Sequence, residues 1–327
     1  MATFPTNVKN FGTDRVNGDV IVPGDVNDLR AEVAAVQSLN AYKITPSIAS
    51  NNLTLAIKAL SGNDASATEP ISFMIAGAGR TLTGALSVTV NAGTNIFNAG
   101  AAKLLGNDID FFVYIGWRAA SSTLFVLISR LPLGRTYADF SATSTSERYG
   151  AFSGSAPAST DVVRVIGRFA AQNSGTAAFN WSIPSAFVVH EPIFETRWLN
   201  FNFFSSNITI GNGTTNVSRY KITMNKVDFY NKWTLGSTSA IPTSPVFSPP
   251  LTPSSSQQTY DGPIGGARYN DTGTANYLGA IILAGTEVQP VAYTVGGTYA
   301  GMTGLTATVP HTWATTDVME HQGSYEI

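Results

Sequence analysis

Hydrophobic positions along this chain change their period once, near residue 40. Val26, Leu29, Val33, Val36 and Asn40 recur at alternating intervals of three and four, the spacing of one helix face, and predict a helix over Asp25–Asn40. Pro23-Gly24-Asp25 supplies its start, with Asp25 as the N-cap and Asp28 adding negative charge to the first turn. Arg30, Glu32 and Gln37 fall off the apolar seam and stay wet. A helix of about two heptads is marginal alone in water, so the seam needs a partner. Either it packs on its own domain, or it ties identical chains into a short parallel coiled coil. Ahead of it, residues 1–24 read as an arm with small anchors at Phe4, Val8 and Phe11, and with room for a short hairpin around Asn17-Gly18.

Beyond Asn40 the pattern becomes alternation. Leu53, Leu55 and Ile57 share one strand face, as do Leu82, Leu86, Val88 and Val90. Ile71–Ala76, Ile109–Trp117, Thr123–Ser129 and Asp161–Ala170 are further predicted strands, several of them apolar on both faces. Gly- and Asn-rich turns separate them, which predicts an antiparallel sandwich or jelly roll over residues 41–190. A second run follows: Arg197–Phe204, Asn207–Ile210, Arg219–Met224, Val227–Trp233, Ala275–Leu283, Val288–Val295, Thr303–Val309 and a terminal Gly323–Ile327. A hairpin turn is expected at Asn225-Lys226. Gly236–Gln258, rich in Pro, Ser and Thr, is either a linker or a long loop; the loop is favoured, because the residues after it would make a thin domain alone. The fold class is therefore mainly β, with an arm and a helix leading into two antiparallel domains, 41–190 and 191–327. No repeat of fixed period suggests a solenoid.

Composition sharpens this picture. Only 12% of residues are charged, against ~25% in ordinary soluble domains, and Ser, Thr, Asn and Gly replace the missing charge. Neutral polar surfaces on many short strands fit an extracellular or virion β-protein. A net charge of −2 and no cluster of Lys or Arg argue against a nucleic-acid partner. There are no cysteines, hence no disulfides and no thiolate metal site. The N-terminus lacks the apolar core of a signal peptide and no apolar run approaches a membrane span, so neither secretion nor a membrane partner is expected. The Asn-X-Ser/Thr triplets at Asn52 and Asn212 read as composition, not glycosylation.

Three stretches together carry a family resemblance. Phe4-Pro-Thr-Asn-Val-Lys-Asn-Phe, followed by Val22-Pro-Gly-Asp-Val-Asn-Asp-Leu-Arg-Ala-Glu-Val-Ala-Ala-Val-Gln, resembles the arm-and-helix module of tailed-bacteriophage structural proteins. Pro46-Ser-Ile-Ala-Ser-Asn-Asn-Leu, Asn95-Ile-Phe-Asn-Ala-Gly, Phe112-Val-Tyr and Ile166-Gly-Arg-Phe-Ala look like a β-module found behind that arm. Pro192-Ile-Phe-Glu-Thr-Arg-Trp-Leu, Arg219-Tyr-Lys-Ile and Gly323-Ser-Tyr-Glu-Ile are similar to a C-terminal module of phage fibre and appendage proteins. The resemblance implies a trimeric or otherwise oligomeric virion fibre, spike or decoration protein, made in a host cytoplasm and docked to other virion proteins through the arm. It implies no catalytic residues and no cofactor.

Candidate chemistry is thin. A polysaccharide depolymerase would need paired carboxylates on a groove. Asp108 and Asp110 share a strand face, Asp139 and Glu147 sit in a Ser/Thr-rich loop, and Glu191 and Glu195 bracket Pro192; surface solvation accounts for such scattered groups better than acid–base work does. No nucleophile elbow or phosphate loop occurs. The histidines are His190, His311 and His321; His311, Asp317, Glu320 and His321 lie close enough in sequence to share a metal ion, but no His-X-His strand pattern accompanies them, a solvated chain end is the better reading, and no metal is expected. A host glycan is the more promising ligand, held by loop aromatics and neutral polar groups at Tyr260, Tyr269, Asn270, Tyr277, Tyr299 and Trp313. The competing reading has these rings packing inside the fold or at a subunit interface. Trp117, Trp181, Trp198 and Trp233 sit in apolar strand patterns and are expected in the core. A tail or tail-tip fibre that contributes to attachment is the leading expectation; a head fibre or capsid decoration protein and a depolymerase are the alternatives.

Overall fold

A computed structural model describes residues 41–91, 106–143, 146–172, 181–184, 187–189, 195–202, 204–205, 207–259, 262–295 and 300–327. The predicted arm with Phe4, Val8 and Phe11, and the predicted helical seam Val26, Leu29, Val33, Val36 and Asn40, lie outside the described residues. Within them the protein is mainly β, and every ladder between strands is antiparallel. No described helix is long and apolar enough to cross a membrane.

The first half builds three sheets. β1 (Tyr42–Ala49), β2 (Asn52–Ala59) and β5 (Leu86–Val90) form one; β3 (Ile71–Ile75) and β4 (Ala78–Leu82) form a hairpin. β6 (Asp108–Arg118), β7 (Thr123–Ser129), β8 (Ala151–Phe152), β9 (Val162–Gln172) and β10 (Phe187–Val189) form a five-stranded sheet in the order β10-β9-β6-β7-β8. Sequence alternation merges Leu82 with Leu86; the chain instead breaks at Gly84, and Leu82 ends a different strand. Pro46 hides β1 from the sequence pattern, and it is tolerated because β1 is the edge of its sheet. Ser50 and Asn51, both at positive φ, turn it into β2. β6 and β7 are buried on both faces, as their unbroken apolar runs require. Phe111 stacks on Phe169 and tilts against Trp181, Tyr114 meets Phe140 edge-on, and Tyr42 donates to Ile166 O at 2.6 Å, fastening the three-stranded sheet to the five-stranded one.

The second half is one ten-stranded sheet. Its strands are β11 (Leu199–Asn200), β12 (Phe204–Ser205), β13 (Thr214–Thr223), β14 (Lys226–Thr234), β15 (Phe247–Ser248), β16 (Pro263–Asp271), β17 (Ala275–Ala284), β18 (Glu287–Val295), β19 (Ala300–Gly304) and β20 (Val318–Glu326). The order is β11-β13-β14-β20-β16-β17-β18-β15-β12, with β19 on β18. The β13–β14 hairpin turns at Met224-Asn225, one residue earlier than the sequence suggests, because Met224 takes positive φ and Thr223 pairs with Lys226. Gly236–Gln258 does not leave the sheet: β15 lies within it, and Ile241, Phe247 and Leu251 are buried. The predicted strand Asn207–Ile210 is reduced to a single bridge, Thr209 with Ala240.

One face of this sheet is core. Tyr220, Phe229, Trp233, Tyr269, Ile281, Met319 and Tyr325 alternate inward along their strands. Ser218 Oγ donates to Asn231 Oδ1 (2.9 Å), and Asn231 Nδ2 lies 3.2 Å from His321 Nε2, so a short polar chain crosses the interior. The two halves meet at polar joints. Arg197 clasps Asp110, Thr252 N donates to Glu147 (2.7 Å), and buried Arg130 donates to Tyr220 OH (3.2 Å).

Candidate functional site

The opposite face of the ten-stranded sheet carries the candidate site. Register fixes which side chains share that face. Arg219 pairs with Tyr230, Tyr230 with Gln322, and Gln322 with Gly266, so these four stand in one row across β13, β14, β20 and β16. The next row runs Lys232, Glu320, Arg268. Trp198, just before β11, closes one end of a groove of about 430 Å³, whose walls include Asp228, Ile264 and Ser324.

Glycine sets the groove's floor. A Cβ on Gly265 would fall 2.0 Å from Gln322 O, and one on Gly323 would come within 3.0 Å of Ile264 O, so glycine lets β16 and β20 lie this close. A Cβ on Gly266 would meet nothing within 4 Å; its missing side chain leaves the floor open.

The groove's polar groups are held in place. The Arg219 guanidinium lies 4.9 Å from the Trp198 ring centre and 5.5 Å from that of Tyr230, held by the two rings without an ion pair among the described residues. Glu320 accepts from Tyr230 OH (2.7 Å) and from Arg268 Nη2 (2.6 Å). Burial pushes the Glu320 carboxyl up, but those two hydrogen bonds and the nearby charges of Arg268 and Lys232 outweigh it and hold the group below its ordinary value. Partial burial, then the bond to Glu320, pushes the Tyr230 phenol up. Trp198 remains 47% exposed. An exposed indole, a planar cation and amide, and a side-chain-free strip make a surface suited to the flat faces and hydroxyls of a sugar.

The sequence places this site elsewhere. Of its glycan set, Tyr260 and Tyr299 lie outside the described residues. Tyr269 is fully buried, with its hydroxyl on Val291 O (3.0 Å), and presents nothing to a ligand. Tyr277 stacks on His311 (5.1 Å between centres, 16°), and Trp313 sits against both His311 and Tyr269 while its indole N–H donates to Thr306 O and Val309 O. Asn270 is half-buried in its ladder between Val318 and Asn276. Tyr269 and Tyr277 pair across β16 and β17 on the inward side, and the loop before β20 brings His311 and Trp313 against them. Trp198 is the converse correction: expected in the core, it is exposed, since the following Leu199 takes the inward position. Trp181 and Trp233 are buried, and Trp117 is half-buried beneath the Arg80 guanidinium. Arg219 and Tyr230 stand one residue out of phase with the buried Tyr220 and Phe229, which puts both on the outward face. Nothing in the sequence marked them as neighbours of Trp198.

No protein-family model and no curated protein sequence matches the chain. The reading of its chemistry therefore rests on its own residues.

The acidic candidates are engaged structurally. Asp110 and Asp108 both reach Arg197, at 2.9 and 3.8 Å. Asp139 accepts from Arg135 N (2.6 Å) and Thr136 N (3.1 Å), and Glu147 is buried on Thr252 N; the crevice that both line thus holds no free carboxylate pair among the described residues. Glu195 pairs with Lys221. His190 and Glu191 lie outside the described residues. The expected solvated chain end is not what the structure shows: His311, Asp317 and His321 are buried, Glu320 is on the outer face, and His311 and Asp317 meet at 3.2 Å.

Proposed function

We propose that this chain is a non-enzymatic structural protein of a tailed-phage virion, an oligomeric tail fibre or tail-tip protein that contributes to host attachment by holding a surface glycan. The observation that carries this reading is the uncovered groove of Trp198, Arg219, Tyr230, Gly266 and Gln322 on a rigid sheet. The resemblance of three stretches to phage appendage modules supports it, as does the charge-poor, Ser/Thr/Asn-rich surface. In this reading residues 1–24 dock to the particle, 25–40 form an oligomerising helix, and two β-sandwich domains, 41–190 and 191–327, project outward.

Replacing Trp198 with Ala tests the attachment role. It should weaken binding to an array of bacterial surface polysaccharides and adsorption to host cells by at least tenfold, as loss of an aromatic anchor worth ~1.5–2 kcal/mol implies. Melting should barely change. Unchanged binding sinks the groove as a receptor site. Antibody-gold label on intact particles should fall at the tail; label over the head would replace attachment with capsid decoration.

Oligomerisation is supported by the apolar seam of 25–40 and by an exposed apolar corner of the large sheet, where Tyr293 faces Met302 and Leu278 and Val295 lie close by. A trimer is the expected state. Val33→Asp places an unpaired charge in the seam and should lower the assembled mass measured by light scattering. An unchanged mass would count against the coiled coil.

A further inference from the structure

We propose that Asp271, His311 and Asp317 form a site for a divalent transition-metal cation that clamps two loops at one end of the ten-stranded sheet. The three residues come from two places in the chain. Asp271 ends β16 at its turn into β17; His311 and Asp317 belong to the loop between β19 and β20. Each offers one ligand atom, and the three atoms lie within 4.8 Å of one another. His311 Nε2 and Asp317 Oδ2 are 3.2 Å apart. Two ligands about 2.0–2.2 Å from one ion stand ~3–3.5 Å from each other in tetrahedral or octahedral geometry, so this separation fits neighbouring ligands of a single metal.

The surroundings hold these groups for that task. Asp317 is buried, and its carboxylate is oriented by Ala314 N on Oδ2 (2.7 Å) and Thr272 N on Oδ1 (2.9 Å). Such outer hydrogen bonds are what aim a ligating carboxylate. His311 is buried too, with its ring fixed by Tyr277 stacked at 5.1 Å and Trp313 at 4.3 Å. Its only polar contact among the described residues is Asp317; Nδ1 is buried without a hydrogen-bond partner there. A histidine enclosed by aromatic rings, with its one polar contact in a pair of carboxylates, is placed as a ligand. Asp271 supplies a further observation. Its carboxylate takes part in no hydrogen bond or ion pair among the described residues, yet it stands beside the Asp317 carboxylate in a partly enclosed corner. Two anions so placed repel, and a cation between them removes that cost.

The donor set selects the ion. One imidazole nitrogen and two carboxylate oxygens suit Zn²⁺ or Mn²⁺; Ca²⁺ and Mg²⁺ prefer oxygen alone. Asp271 is half-exposed, so water completes the coordination from the solvent side. The ion would fasten the β16–β17 turn, which Thr272 Oγ1 already ties to Thr316 O (2.7 Å), to the loop before β20. None of the three residues lines the groove on the outer face.

The test uses the full chain, stripped with EDTA and dialysed, titrated with ZnCl₂ in a calorimeter, with CaCl₂ and MgCl₂ for comparison. One Zn²⁺ per chain is expected, with a rise in melting temperature on Zn²⁺ and none on Ca²⁺ or Mg²⁺. Asp271→Asn should weaken Zn²⁺ at least about tenfold while its metal-free melting temperature does not fall below that of the wild type, because the lost carboxylate bonds nothing else among the described residues and its repulsion from Asp317 is relieved. His311→Gln should lose the Zn²⁺ response as well. The proposal is overturned if the wild type takes up no Zn²⁺ at ~0.1 mM, far above the affinity of a built site. It is equally overturned if Asp271→Asn binds Zn²⁺ as the wild type does, which would place the ion elsewhere and leave His311 and Asp317 as a hydrogen-bonded pair.

Discussion

Replacing Arg197 with Ala should destabilise the protein by about 3 kcal/mol, the low end of the cost of removing one partner from a buried ion pair. Asp110 is the reason. Its side chain is 1% exposed and accepts three bonds from Arg197: the backbone N–H at 3.0 Å, Nε at 3.2 Å and Nη2 at 2.9 Å. Without the guanidinium, a buried carboxylate keeps one backbone donor and no ion-pair partner among the described residues. The value sits at the low end because the Arg197 side chain is itself 49% exposed, so solvent already screens part of the attraction. Urea unfolding measures the cost. Adding Asp110→Asn to the Arg197→Ala variant should recover more than half of it, since the orphaned charge goes with it. A loss below ~1 kcal/mol in the single variant would mean the pair behaves like an ordinary surface bridge. The pair joins β6 to the segment entering the large sheet, so the same unfolding curves report whether the two halves melt together.

Acid should act on the interior through His321. Burial lowers its pKa from 6.5 to about 3. The folded protein therefore keeps this ring neutral, where Nε2 receives the Asn231 amide, while the unfolded chain takes up a proton below pH 6.5. The unfolded state binds more protons throughout that window, so stability is full above pH 6.5 and falls as pH drops towards 3. The slope approaches a little over 1 kcal/mol per pH unit, on the order of 4–5 kcal/mol by about pH 3. Between about pH 6.5 and 5, above the main carboxylate range, the urea midpoint should fall in the wild type and fall distinctly less in His321→Gln. Equal slopes would show that His321 does not titrate differently on folding.

How much of this was legible depended on whether a residue's environment is set locally. Strands β2, β3, β6, β7, β9, β13, β14, β17 and β18 announce themselves because alternation or an unbroken apolar run is a property of a few neighbours in sequence. β16 does not. Pro263, Gly265 and Gly266 speak against a strand, yet it lies near the middle of the largest sheet, between β20 and β17. What overrides propensity there is the need for a side-chain-free strand beside Gln322 and Gly323, a fact of tertiary structure alone. The candidate site failed for the same reason. Tyr269 and Tyr277 look like loop aromatics until the register of β16 and β17 turns them inward, Trp313 is brought against Tyr269 by the loop before β20, and Trp198 looks like core until Leu199 takes that place. Likewise His311 and Asp317 were visible as neighbours in sequence, but Asp271, which gives their pairing its chemical interest, is brought by a different turn.

The position of β20 bears on how the chain is made. Strand β14 ends at Thr234, but its partner begins only at Val318, and β16 waits for the same strand. During synthesis both must stand with open backbone edges until Val318–Glu326 emerges to fill the gap between them. Open edges are templates for wrong pairing, and long sequence separation slows the correct one. Keeping this interval safe falls to whatever covers those edges on the ribosome, so yield in a foreign host should depend on translation speed and chaperone supply before it depends on the stability of the finished sheet.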